Sequence, residues 1–340
     1  MKRGYKILLV FILLLVAVFF VYSDLIVYGL RQGKGQWHIV SNAKPVEEFL
    51  SDPNVDQSTK EKLNLVQDVR EFCVSQLGLS DTENYTEMYD QQGKPVLWVV
   101  TACKPFSFEP YQWKFPVVGT VPYKGFFEEA LAHEEAKRLS ELGLDTNIRT
   151  VGGWSTLGWF KDPILSEMLK RNDGELANLI VHELVHATIF VKDSVEFNEN
   201  LASYIGDKGA EEYLKKVDGQ KGLEEYIRSK EDQQKFVNHI LRGYQQLDTL
   251  YIRNSDKSVE LQRLLKTNMI DSIMNALDTL TLNDPNYLSK LKGYQPNNAY
   301  FMSFKRYRAK QPILDSIFTI QFDSNLINFI EYFKQQYAAE

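Results

Sequence analysis

Residues 177–190 read ANLIVHELVHATIF and residues 196–206 read EFNENLASYIG, and these two stretches decide what the fold must be built around. His182 and His186 stand at the i, i+4 spacing that brings two side chains onto one face of a helix. Glu183 follows the first histidine, one step round the same helix. Leu179, Ile180, Val181, Leu184, Val185, Ala187 and Ile189 make the flanks apolar almost all round, so this helix reads as central. Polar side chains on a central helix need partners, because a buried polar group left unpaired is costly. A metal ion supplies them. A third ligand must come from elsewhere, and Glu199 arrives after enough chain to end one helix, reverse at residues 192–194 and start another.

Two histidines and one glutamate with a fourth position open to water form a hydrolytic zinc arrangement, and Glu183 stands beside that open position as a candidate general base. The competing reading, a His-Glu-x-x-His pentapeptide decorating an exposed helix, fits poorly with flanks this apolar. A metzincin is excluded, because that motif needs Gly and His where this chain has Ile189 and Lys192.

Working outward, the chain has 340 residues, 44% of them hydrophobic, which is enough to bury a large core. The net charge is -6 with both signs interspersed, so no basic face announces a nucleic-acid partner. Lys2, Arg3 and Lys6 precede an uncharged apolar run over residues 7–22. That pattern predicts a membrane segment over residues 1–30, an N-terminal transmembrane helix in preference to a cleaved signal peptide. The positive residues then place the N-terminus in the cytoplasm and the C-terminal domain outside it, as a single-pass membrane protein. Cys73 and Cys103 could pair in an oxidising compartment, the alternative being two buried thiols.

Residues 31–44 read as a polar connector and residues 45–340 as one α+β domain, predominantly helical, with a small β-sheet preceding the motif helix. Apolar spacing and glycine stops predict helices over about 57–77, 128–142, 175–191, 224–251 and 259–282, a short one at 164–170, and a strand at 147–151. Residues 85–90 and 95–104 alternate around the turn at 91–94, which predicts a hairpin. The Pro- and aromatic-rich passage after it reads as an irregular wall. In GGWSTLGWF (152–160), Gly153 and Trp154 are candidates for pairing with an extended peptide substrate, against a plain tight turn with core tryptophans. An oxyanion donor is sought among Tyr204, Tyr300 and Tyr307, with Tyr300, just after Asn297 and Asn298, preferred. His38, His133 and His239 are given no role.

Several longer words point the same way. GQWHIVSNAKPVEEFL (35–50), FPVVGTVPYKGFFEEALAHEEAKRL (115–139), VGGWSTLGWFKDPILSEML (151–169), the His-Glu-Leu-x-His-Ala-Thr motif with its Phe-Asn-Glu, and NNAYFMSF (297–304) together resemble the bacterial putative aminopeptidase family. The resemblance implies a zincin-like metallopeptidase, with His182, His186 and Glu199 as zinc ligands, Glu183 as catalytic acid/base, and peptides as substrates. Many members carry Cys on either side of the FPVVG segment, where this chain has Lys114 and Thr120. An endopeptidase and a non-enzymatic, zinc-stabilised envelope scaffold stay open as alternatives, although a purely structural site has no use for Glu183.

Overall fold

The computed structural model describes the chain outside residues 1, 117–118, 152–160, 193, 218, 292, 309 and 338–340, and describes the backbone alone at residues 2–21, 290, 306 and 307. The first element is a long helix, α1 (Lys2–Asn42), which continues without a break through the residues that read as a connector. Among the described residues no helix is long and apolar enough to cross a membrane. The expected N-terminal transmembrane helix, and with it the single-pass membrane location, is therefore not supported; residues 7–21 of the apolar run lie outside the described side chains. From residue 22 the helix carries Asp24, Arg31 and Lys34 and lies on the protein. Tyr28 and Gln32 both donate to the Gly125 carbonyl, at 3.0 and 3.1 Å, and Ile39 is buried.

Next come β1 (Lys44–Pro45), α2 (Val46–Ser51) and α3 (Gln57–Ser75). Asp56 caps α3 by accepting from the Thr59 N–H at 2.9 Å. The strands follow: β2 (Glu87–Tyr89), β3 (Trp98–Cys103), β4 (Trp113–Phe115), β5 (Gly119–Val121) and β6 (Lys124–Phe126). After α4 (Glu129–Glu141) come β7 (Asp145–Thr150) and β8 (Ile164–Leu165), then a short 3-10 turn over Ser166–Lys170. The rest is helical: α5 (Asp173–His186), α6 (Val195–Val217), α7 (Gly219–Arg253), α8 (Val259–Asn275), α9 (Asn298–Arg308), α10 (Gln311–Phe322) and α11 (Leu326–Tyr337). The molecule is mostly helical with small sheets, in the orders β1-β2-β8, β6-β3-β7 and β4-β5.

The expected hairpin of residues 85–104 does not form. β2 pairs antiparallel with β1 and parallel with β8, while β3 pairs antiparallel with β6 and β7 in another sheet. Two observations explain this. Val99 to Cys103 are all buried, so β3 needs a strand on each side and cover on both faces. The turn at 91–94 does form, the Lys94 N–H donating to the Gln91 carbonyl at 3.0 Å, but Gln91 also ties it to the segment before α5: its N–H donates to Ser166 Oγ at 2.8 Å and its side chain accepts from the Glu167 N–H at 3.0 Å. Nor is the aromatic passage irregular throughout, for it holds the β4–β5 pair, in which Lys114 and Thr120 face each other. Cys73 and Cys103 are buried free thiols in separate apolar clusters, not a disulfide. Burial pushes both thiols up to about 12.

The largest apolar cluster surrounds α5, whose Leu176, Ala177, Ile180, Val181 and Leu184 are wholly buried among residues of α3, α6, α10 and α11. Each fully buried Leu or Ile contributes roughly 1.5–3 kcal/mol, so α5 is fixed by packing rather than by propensity. It ends at His186, short of the expected 191. There the Thr188 hydroxyl donates back to the Leu184 carbonyl at 2.7 Å and accepts from the Ser80 N–H at 3.0 Å.

Candidate metal centre

α5 and α6 carry the site, and two glycines set how closely they approach. A Cβ on Gly206 would lie 3.1 Å from the Asn178 carbonyl oxygen and 3.3 Å from the His182 Cβ. One on Gly209 would lie 2.8 Å from Val181 Cγ1. Glycine inside a helix costs about 1 kcal/mol against alanine, so its use twice on one face of α6 marks a close helix contact.

The residues flanking Glu199 fix its rotation. Asn198 clamps the connection between the helices at two points, accepting from the Val191 N–H at 3.0 Å and donating to the Val191 carbonyl at 2.8 Å. Asn200 is wholly buried and accepts from the Lys310 N–H at 2.8 Å, while its own carbonyl accepts from Gln311 Nε2 at 2.9 Å. Those bonds join α6 to the start of α10.

Held in this way, Glu199 Oε2 lies 3.5 Å from His182 Nε2 and 3.6 Å from His186 Nε2, and the two Nε2 atoms are 3.1 Å apart. Ligand bonds of about 2.05 Å at a tetrahedral centre place donor atoms about 3.3 Å apart. The three side chains are only 15%, 15% and 20% exposed. Burial alone would raise Glu199, but hydrogen bonds from both imidazoles outweigh it and hold the carboxylate well below its usual range. Burial would likewise lower His186, and Glu199 outweighs it and raises the imidazole. A dication among these atoms would satisfy all three at once, and the group could bind a metal ion.

Glu183 lies half-buried on the same helix, beside His182. Tyr300 packs against Tyr294, Phe301 and Phe304 in a second apolar cluster around α7, α8 and α9, and burial raises its hydroxyl. Tyr204 donates to Asp315 at 2.9 Å. Gly153 and Trp154, and the side chain of Tyr307, lie outside the described residues. Among the other histidines, His133 is exposed beside Glu129, His38 bonds Asn42, and His239 bonds the Ile273 carbonyl.

One cluster next to the site gave no local signal in the sequence. Asn178, one helical turn before His182, donates to Asp207 at 2.6 Å, and Asp207 also pairs with Lys230 and Arg308. This network joins α5, α6, α7 and α9. Its bonded partners are separated by up to 101 positions, so no motif announces it.

Two packed helices bring two imidazoles and a carboxylate around one point, a group that could hold a metal ion. The chain belongs to the putative aminopeptidase family, whose model matches residues 27–339. No curated protein and no solved structure matches it.

Proposed function

We propose that this protein is a zinc-dependent peptidase, an aminopeptidase in preference to an endopeptidase, with His182, His186 and Glu199 as ligands and Glu183 as general base. The observation that carries the reading is the convergence of three donor atoms from α5 and α6 at separations suited to one tetrahedral ion. The donor set supports zinc, since imidazole nitrogen and carboxylate oxygen with one open position are the ligands of hydrolytic zinc sites. The family description supports a peptide with a free amino terminus as substrate.

Bound there, zinc supplies Lewis-acid polarisation of a peptide carbonyl and makes water a nucleophile at neutral pH. Glu183 takes the proton of the attacking water and passes it to the leaving amine, so a single carboxylate serves as base and then as acid. Asn198 and Asn200 keep Glu199 turned toward the histidines. The purified protein, assayed for metal content and against matched peptides with free and blocked amino termini, tests this. The expected result is one zinc per chain and cleavage of free-amine peptides. Equal cleavage of the blocked peptides would replace aminopeptidase by endopeptidase, and a zinc-loaded protein that cleaves neither would leave a scaffold.

A further inference from the structure

Among the described residues, only Tyr85 carries two unrelieved costs at once. Its ring is wholly buried in the apolar cluster around α5, and its hydroxyl, buried as well, has no hydrogen-bond partner. Tyr204, Tyr226 and Tyr251 are also deeply buried, and each shares its hydroxyl, with Asp315, Asn178 and Asn298. The Tyr85 backbone is left-handed, at φ 63°, where a bulky side chain is a steric outlier. That backbone is pinned. Its N–H donates to the Asp162 carbonyl at 2.8 Å, its carbonyl accepts from Gln67 Nε2 at 2.6 Å, and the adjoining Asn84 side chain accepts from the Asp162 N–H at 3.0 Å. Strain and an unpaired buried hydroxyl, held together at one over-determined residue, point to function rather than to stability.

The same bonds fix its height along α5. The helices α3 and α5 run side by side in one direction: Lys62, on the second turn of α3, pairs with Asp173 at the start of α5, and beyond their other ends the Ser80 N–H donates to the Thr188 hydroxyl. Gln67, which holds Tyr85, comes one and a half turns after Lys62, an advance of about 7.5 Å at about 1.5 Å per residue. The same advance from Asp173 reaches Asn178. Tyr85 therefore enters the cluster at about the level of Asn178, and Glu183 stands about 7.5 Å further along α5. Glu183 is half-buried, and among the described residues its carboxylate has neither a hydrogen bond nor an ion pair. A buried donor without an acceptor and a carboxylate without a donor thus share one stretch of the helix. Burial raises the Tyr85 hydroxyl well above its ordinary range, and of the charges that add to this Glu183 comes first and Asp162 second. Asp162 already has a partner of its own.

We propose that Tyr85 is the positioning residue of the base: its hydroxyl donates to the Glu183 carboxylate, which no other bond restrains, and keeps that carboxylate beside the open coordination position. This rests on the reading of Glu183 as general base. The test compares Tyr85→Phe, Glu183→Ala and the double variant, each as the full zinc-loaded chain, by melting and by peptide hydrolysis. Phenylalanine fills the same space, so folding and zinc content should hold. With Glu183 present, Tyr85→Phe should lower the melting temperature by about 2–4 °C. In the Glu183→Ala background the hydroxyl has no acceptor, so the same change should leave the melting temperature level or raise it. Tyr85→Phe should also lower kcat about tenfold with KM unchanged, the split expected of a group that acts through the base and does not touch the substrate. Equal melting shifts in the two backgrounds would overturn the proposal, and so would coupled melts with kcat unaltered. A wild-type protein that cleaves no peptide would sink the peptidase reading alone, and the melts would still decide whether Tyr85 holds Glu183.

Discussion

Asn198 illustrates how a motif residue can be read from the sequence without its work being seen. Asn-Glu-Asn marks Glu199 as a ligand candidate, but nothing in the spacing says that Asn198 closes both hydrogen bonds of Val191 or that Asn200 anchors the start of α10. The grouping of His182, His186 and Glu199 was legible because helical periodicity is local and their chemistry is distinctive. Spacing gives no comparable guide to an oxyanion donor, because one tyrosine of 18 carries no local pattern that sets it apart. Asn198→Ala leaves the half-buried Val191 N–H without its partner, while the Val191 carbonyl keeps the Ser194 N–H, and the loss costs about 1–3 kcal/mol. Melting temperature should drop, and zinc affinity against a competing chelator should fall about tenfold as Glu199 loses its fixed rotation. Unchanged zinc affinity in a folded variant would mean that the clamp does not position the ligand.

Among the elements, most helices followed the periodicity, because each buries one face against its neighbours and the pattern records that face, although α5 and α8 stop short of the expected 191 and 282. The hairpin failed for the opposite reason: alternation marks a strand but says nothing about its partner, and β2 and β3 found theirs in different sheets. The α5–α6 contact was also invisible, since a glycine in a helix announces close approach only once the neighbour is known. Gly206→Val puts a branched side chain against the Asn178 carbonyl and the His182 Cβ. It should separate the helices and lower zinc occupancy, while the same change at Gly29 on α1, with nothing within 4 Å, should leave zinc unchanged. Full zinc occupancy in Gly206→Val would show that the close approach does not set the ligand geometry.

For the molecule as a whole, the least legible feature is the network of Asp207, Lys230 and Arg308, which ties the site helices to α7 and α9. Burial would raise Asp207, but the two cations outweigh it and hold the carboxylate below its usual range; with two cations sharing one carboxylate, burial and Arg308 pull Lys230 down in turn. A carboxylate lowered on folding contributes stability that is present above its unfolded value, about 3.9, and lost as pH falls through its folded value. Stability should therefore fall on acidification below about pH 4, and Asp207→Ala, which strands both cations, should cost about 3–5 kcal/mol at neutral pH and weaken that acid dependence. Acid and denaturant melts of the two proteins measure both. The N-terminal run shows the limit of reading hydropathy alone: beyond residue 21 the helix lies on the protein through Tyr28 and Gln32. Paired substitutions test most directly whether Glu199 holds the metal while Glu183 works beside it. Glu183→Gln should keep zinc and melting near wild type while peptide hydrolysis falls by about two to four orders of magnitude, and Glu199→Gln should lose zinc and activity together. Loss of zinc in Glu183→Gln with its retention in Glu199→Gln would contradict the ligand assignment, and undiminished hydrolysis in both would place the chemistry elsewhere in the chain.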